Sequence, residues 1–337
     1  MDIIFWQVSM KMNIVIFGAT GNIGKYFVDY LNTHLDLSEY EIIASGRKRT
    51  DWFEKNSVRY IPLDISNRDS FNNLPQKDVY AVVNLAGVLP AYLETDDPLV
   101  YVNTNITGGI NILEYTRKTG CKRIIYTQTW AEMQGYWGKD KILSPSLPRK
   151  LSYTGDHAFY TITKCMIVDS MEMYHQQYGI TPFIFRLPNI YLYSPEKYYF
   201  VDGVKKYISY RYLIDRVKQG HDIELWGNPK DGKDIIYVKD FCQMMYKALF
   251  AEVDGGTYCA GTGVHTTLQE QFEGFIQVFA TKGSSPKIIY KPDMPTCVDF
   301  VMDIENAKKD LGYKPEYNYI EYLEDYKREE ESGRWEV

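Results

Sequence analysis

The segment Gly18-Ala19-Thr20-Gly21-Asn22-Ile23-Gly24 follows the apolar run Ile14-Val15-Ile16-Phe17 and constrains the fold more than any other feature of the chain. A β-branched run of this kind reads as a buried strand. Glycines at its end allow a tight turn, let backbone N–H groups approach a phosphate, and leave room for the next helix to pack on the strand. The spacing is G-x-x-G-x-x-G, and its position between strand and helix marks a dinucleotide loop. Gly18, Thr20, Gly21, Asn22, Ile23 and Gly24 are therefore candidate cofactor-binding residues.

Short β-branched runs and longer amphipathic stretches keep alternating after this loop. Strand runs at 13–17, 40–44, 79–85, 123–126 and 182–185 are interleaved with helical patterns at 22–31, 100–118 and 158–178. Strand then helix, repeated, predicts an α/β fold of Rossmann type: a doubly wound parallel sheet covered on both faces. After Pro188 the texture changes. The stretch 191–212 is rich in Tyr and broken by Pro195 and Gly203, and Gly and Pro recur from Gly255 on. With 337 residues, at about 150 per domain, two units are expected. Residues 12–185 plus 233–250 form the dinucleotide-binding domain, and 186–232 plus 251–325 form a smaller C-terminal substrate-binding lobe.

Composition removes several other classes. No run of about 18 apolar residues is present, so no membrane span is expected. Residues 1–12 carry Asp2 ahead of a short apolar run, the wrong order for a secretory signal, and read as a frayed leader. The five cysteines, Cys121, Cys165, Cys242, Cys259 and Cys297, form no C-x-x-C pair and read as reduced thiols of a cytoplasmic protein. The five histidines lack metal-ligand spacing, so no metal is expected. A net charge of −6, with Arg47-Lys48-Arg49 as the dense basic cluster, argues against nucleic acid as a partner.

That cluster has a use of its own. An NAD-selective site places Asp or Glu at the end of the second strand to hold the ribose 2′-hydroxyl. This chain instead reads Ala44-Ser45-Gly46-Arg47. A guanidinium there matches a 2′-phosphate, which favours NADP(H) over NAD(H). A second signal is Tyr160-Thr161-Ile162-Thr163-Lys164, whose ends share a helix face. An ammonium about 4 Å from a phenol could draw the phenol toward neutral pKa and make Tyr160 a general acid or base. Tyr193 and Lys197 have the same spacing, but Pro195 between them breaks the helix turn. Tyr160 also follows the strand 123–126, whose C-terminal end bears Thr127-Gln128-Thr129, and open parallel sheets bind ligands at such strand ends.

From about Asn13 to Leu311 the chain resembles the extended short-chain dehydrogenase/reductases, often called NAD-dependent epimerase/dehydratases, which mostly act on nucleotide-activated sugars. The likeness rests on the glycine loop, Leu63-Asp64-Ile65, Asn84-Leu85-Ala86-Gly87, Asn103-Thr104-Asn105, Thr129, Tyr160, Lys164, Arg186-Leu187-Pro188-Asn189 and Lys233-Asp234. It implies that Tyr160 moves a proton, that Lys164 holds the nicotinamide ribose and tunes Tyr160, and that Thr129, or Thr127 in its place, bonds the reacting oxygen. It also implies that Asp64, Ile65, Leu85, Ala86, Gly87 and Asn105 lie beside the cofactor and that Asn189 and Lys233 meet the substrate diphosphate.

The implied activity is NAD(P)-dependent epimerisation, or 4-keto reduction, of a nucleotide sugar, with a homodimer formed through the helices at 100–118 and 158–178. Two alternatives stand beside it. Dehydratases of the family carry an acid just after the active-site Thr, where this chain has Trp130 and Ala131, and only a register slip would bring Glu132 there. A non-catalytic NADP-binding redox sensor would need no intact Tyr160, Lys164 and Thr129. The Tyr-rich stretch 191–212 reads either as a lid over the ligand or as an amphipathic surface element.

Overall fold

In a computed structural model, the protein is described over residues 11–95 and 97–335. Most of the expected leader lies outside the described residues, but Met12, counted with it, opens the first strand. Seven parallel strands form one sheet: β1 (Met12–Phe17), β2 (Tyr40–Gly46), β3 (Arg59–Pro62), β4 (Val79–Asn84), β5 (Arg123–Thr129), β6 (Thr181–Leu187) and β7 (Gly256–Cys259). Their spatial order is β7-β6-β5-β4-β1-β2-β3. The chain runs outward from β1 to β3 and then restarts on the other side of β1 at β4. This leaves a crevice at the carboxyl ends of β1 and β4, the switch point at which such sheets take ligands.

The longer helices are α1 (Asn22–His34), α2 (Gly108–Lys118), α3 (His157–Tyr178), α4 (Ser209–Lys218), α5 (Val238–Phe250), α6 (Leu268–Phe279) and α7 (Tyr319–Ser332). The strand pleat divides the core in two. Ile14, Ile16, Ala44, Val83, Ile125 and Phe185 face Phe27 and Leu31 of α1 and Phe241 and Met245 of α5. Val15, Phe17, Ile43, Val82, Ile124 and Ile184 face Ile112 and Leu113 of α2 and Ile167 and Met171 of α3. Both faces are covered, which is why these strands read as continuous apolar runs.

Three expectations are corrected in and around the large sheet. The helix expected over 100–118 is interrupted: a turn at Pro98–Tyr101 runs into a π-helical stretch at Val102–Thr107 before α2 begins. The π turn brings Asn105 onto the loop after β4, the kind of local widening that recurs at functional sites. The strand expected to end at Tyr126 runs on to Thr129. Gly256–Cys259, within the segment assigned from sequence to the smaller lobe, pairs with β6 as the seventh strand and buries Tyr258 against Phe183 and Phe185.

Outside this sheet the strands occur in pairs, among them an antiparallel hairpin of Tyr198–Val201 with Val204–Tyr207. Rings do much of the packing here. Tyr322 meets Tyr191 and Tyr237 at centroid separations of 5.9 and 5.1 Å, and the buried Arg211 guanidinium lies between Tyr193 and Tyr326 at 4.9 and 5.7 Å. Among the described residues all five cysteines are free, and no helix is long and apolar enough to cross a membrane.

Candidate active site

The glycine turn is built by close approach. Gly18 has φ +80°, and a Cβ there would stand 2.5 Å from the Ala86 nitrogen, so both backbone and space demand glycine. At Gly24 a Cβ would collide with the Gly18 carbonyl, so this glycine seats α1 on the turn. Gly21 differs: its N–H donates to Gly18 O at 3.0 Å, and an added Cβ would meet only that oxygen, at 3.2 Å. It lines open space at the start of α1. Ile23 turns inward and packs on the core instead.

A cleft of about 580 Å³ opens in front of this turn. Gly18, Thr20, Gly21 and Asn22 line it from the turn, Arg47 and Lys48 from the end of β2, Asp64 and Ile65 from the loop after β3, and Leu85, Ala86 and Gly87 from the loop after β4. All were expected from sequence except Lys48. Ser45 was missed: it also lines the cleft, is fully buried, and its hydroxyl has no partner. The Asp64 carboxylate accepts from the Ser66 hydroxyl and N–H at 2.7 and 2.9 Å. Those hydrogen bonds, with help from Arg47 against partial burial, hold it below the usual carboxylate range. Tyr92, Glu196, Tyr198, Phe200 and Lys205 close the cleft from the far side.

Tyr160 and Lys164 lie behind this cleft, buried in α3. Lys164 Nζ is 3.9 Å from the point where a Cβ on Gly87 would stand, and it sits 4.1 Å above the ring of Tyr126. Asn105 joins the same loop to the helix. Its Oδ1 accepts from Val88 N–H at 2.8 Å, and its Nδ2 donates to Val88 O and to Thr163 Oγ1 at 3.2 and 3.1 Å. Asn105 therefore clamps the Gly87 loop to α3 rather than lining the cleft.

Burial acts on both groups. Burial pushes the Tyr160 phenol well above 10, with Tyr92 and Tyr101 adding to the shift, and burial pulls Lys164 down to about 7. In a dry site both groups prefer the neutral form, and desolvation outweighs the attraction expected between them.

The end of β5 departs from expectation as well. Thr129 Oγ1 accepts from Ala131 N–H at 3.2 Å, capping the turn Trp130–Tyr136. By strand alternation Thr127 and Thr129 share a face with Ile125, while Tyr126 and Gln128 point toward α3. Glu132 is 2% exposed and held by both Arg186 Nε at 2.5 Å and Arg149 Nε at 3.2 Å, with Gln128 Nε2 donating to it at 3.0 Å. No register slip frees this acid.

The sequence model of the NAD dependent epimerase/dehydratase family matches residues 14–261. The chain belongs to that family. Among curated relatives, a putative UDP-glucose 4-epimerase of Methanocaldococcus jannaschii is 24% identical over 314 residues, which cover 91% of this chain and 95% of the relative. Among solved structures, UDP-glucose 4-epimerase of Thermotoga maritima with UDP-glucose superposes with a TM-score of 0.73 at 21% identity, covering 95% of this chain and 99% of that one. A mutant UDP-glucuronic acid 4-epimerase of Bacillus cereus, in complex with a UDP-fluorosugar and NAD, gives 0.73 at 20% identity and covers 94% and 99%.

The remaining candidates, Asn189 and Lys233, lie outside the residues that line the cleft. Asn189 is exposed just beyond β6. Lys233 lies 5.5 Å over the Tyr191 ring, and the neighbouring Tyr191 raises its pKa against the effect of burial. Asp234 is a structural carboxylate that accepts from Thr262, Gly263 and Met302 N–H groups. Among the described residues no His, Cys, Asp and Glu cluster could hold a metal.

Proposed function

We propose that this protein binds a nicotinamide dinucleotide in the cleft at the glycine turn, NADP(H) in preference to NAD(H), and epimerises or reduces a nucleotide-activated sugar. The observation that carries the reading is the placing of Lys164 Nζ against Gly87 on the loop that lines the cleft, with Tyr160 one turn earlier on the same helix. The cleft fits the cofactor. Gly18 admits no side chain, Gly21 presents open backbone, and the Ser45 hydroxyl is buried without a partner where a ribose or its phosphate would lie. Arg47 and Lys48 at the end of β2 give a 2′-phosphate its counter-charge.

Bound there, the dinucleotide would supply a hydride donor or acceptor at its ring. The protein supplies the proton. Burial keeps the Tyr160 phenol protonated, which suits donation to a sugar oxygen when a keto sugar is reduced. When the sugar hydroxyl is oxidised, its proton passes to the phenol as the phenol gives its own to Lys164, which at about 7 can take either charge near neutrality. Thr129, whose oxygen already accepts from Ala131, keeps its O–H for a substrate oxygen. Asn189 and Lys233 would meet the diphosphate. Dehydration loses its acid to the Arg186 and Arg149 pair. Ile162, Met166 and Met173, exposed along α3, fit a homodimer formed through that helix.

The test is chromatography of UDP-hexoses and UDP-uronic acids after incubation with the protein and either cofactor, alongside absorbance at 340 nm with NADPH and 4-keto sugars. Appearance of the 4-epimer or consumption of NADPH is expected. A protein that binds the dinucleotide yet turns over none of these sugars would overturn the enzymatic reading.

A further inference from the structure

The hairpin Tyr198–Tyr207 belongs to the smaller part of the molecule, yet it forms one wall of the cleft at the glycine turn. Its base is fixed. Lys197 Nζ pairs with Asp215 of α4 at 2.7 Å, the Tyr207 hydroxyl donates to the same carboxylate at 2.5 Å, and Ile208 N–H donates to Lys197 O at 2.9 Å. Its tip is docked. Asp202 and Gly203 make the turn with φ +49° and +73°, and a Cβ on Gly203 would stand 2.7 Å from the Glu94 carbonyl oxygen. Glu94 lies in the loop after β4, the loop that carries Gly87 and Tyr92. A ribbon anchored at one end on α4 and seated at the other on this loop spans the opening of the cleft.

The side chains it turns inward suit a dinucleotide. Phe200 and Tyr198 line the cleft as rings, and Lys205 lines it as a cation 4.7 Å over the Tyr198 ring. A pyrophosphate carries two negative charges, and the opposite wall offers the N-terminus of α1 and the cations of Arg47 and Lys48.

We propose that this hairpin is a strap that retains the cofactor: Lys205 draws the phosphates from the open side, Phe200 and Tyr198 exclude water over them, and the seating of Gly203 on Glu94 holds the strap shut. This rests on the reading of the cleft as a dinucleotide site and adds binding residues that the glycine turn does not supply. Two consequences follow. Dissociation of the dinucleotide requires the strap to lift, and the anchor on α4 ties that lifting to the part of the molecule that would carry the sugar.

The experiment is stopped-flow dissociation of NADPH and of NADH, followed by their fluorescence, from wild type, Lys205→Met, Phe200→Ser and Gly203→Val. Lys205 is exposed, so its replacement leaves the fold intact. It is expected to speed release about fivefold and to flatten the salt dependence of the rate. Gly203→Val, which removes the seating, is expected to speed release of both cofactors about tenfold or more. Tight wild-type binding with unchanged release from all three variants would overturn the strap while leaving the cofactor site in place. Absence of binding by the wild type would overturn both.

Discussion

The glycine turn and the hairpin face each other across one cleft and are made in opposite ways. At the turn, Gly18 and Gly24 are so closely packed that no side chain fits, and the geometry follows from backbone contact between β1, β4 and α1. At the hairpin, the exposed Tyr198, Val204 and Lys205 are held by a few contacts: the pairing of Lys197 and Tyr207 with Asp215 and one backbone hydrogen bond at the base, and one carbonyl at the tip. A turn of the first kind is fixed before any ligand arrives. A ribbon of the second kind opens at small cost, which suits the entry and release of a ligand.

The largest effect expected from breaking this arrangement is chemical. Tyr160→Phe removes the proton-bearing oxygen behind the turn and should lower turnover about 10²- to 10⁴-fold while the dinucleotide still binds; a steady-state assay with a parallel binding titration measures both. Next is Glu132→Ala, which leaves the buried Arg186 without its carboxylate, while Arg149 keeps Asp169. It should cost about 3–5 kcal/mol in chemical denaturation.

The two glycines of the turn sharpen the comparison. Gly18→Val should destabilise the fold by about 2–4 kcal/mol through the clash at Ala86 and the positive φ. Gly21→Val should leave the melting temperature nearly unchanged and instead block the cofactor, as calorimetry with NADPH would show.

A smaller effect concerns pH. Lys164 is held down to about 7 when folded, against an unfolded value near 10.4. Between these values the unfolded chain binds the extra proton, so stability rises with pH across the window and the lysine's cost is greatest below it. Relative to Lys164→Met, wild type without cofactor should therefore lose stability as pH falls from about 10 to about 7, as parallel denaturation curves would reveal. The smallest expected change is selective: Arg47→Ala should weaken NADPH about tenfold and NADH much less, read by titration of each.

Legibility in the sequence follows the same divide. The sheet, α1 and the glycine turn announce themselves through local periodicity, because each strand is covered on both faces and each glycine is demanded by its own backbone. The contacts that cross between segments leave no local trace. Nothing in Tyr198–Tyr207 says that it walls a cleft begun at Gly18. Ser45 reads as one residue of a strand until its buried, unpartnered hydroxyl is seen. Glu132 is another case: its distance from Thr129 along the chain left open an active acid, and only the meeting of β6 with the turn after β5 commits it to Arg186. Helix-face spacing and the strand before it singled out Tyr160 and Lys164, and the resemblance to a family gave them roles, but neither showed their burial.

A single turnover tests the central claim most directly: protein loaded with NADP⁺ or NAD⁺ is mixed with a UDP-sugar, and absorbance at 340 nm is followed in wild type and in Tyr160→Phe. The account predicts a rise in wild type that the variant lacks although both hold the dinucleotide. An equal rise in the two, or none in a cofactor-loaded wild type with any sugar of the panel, would contradict it.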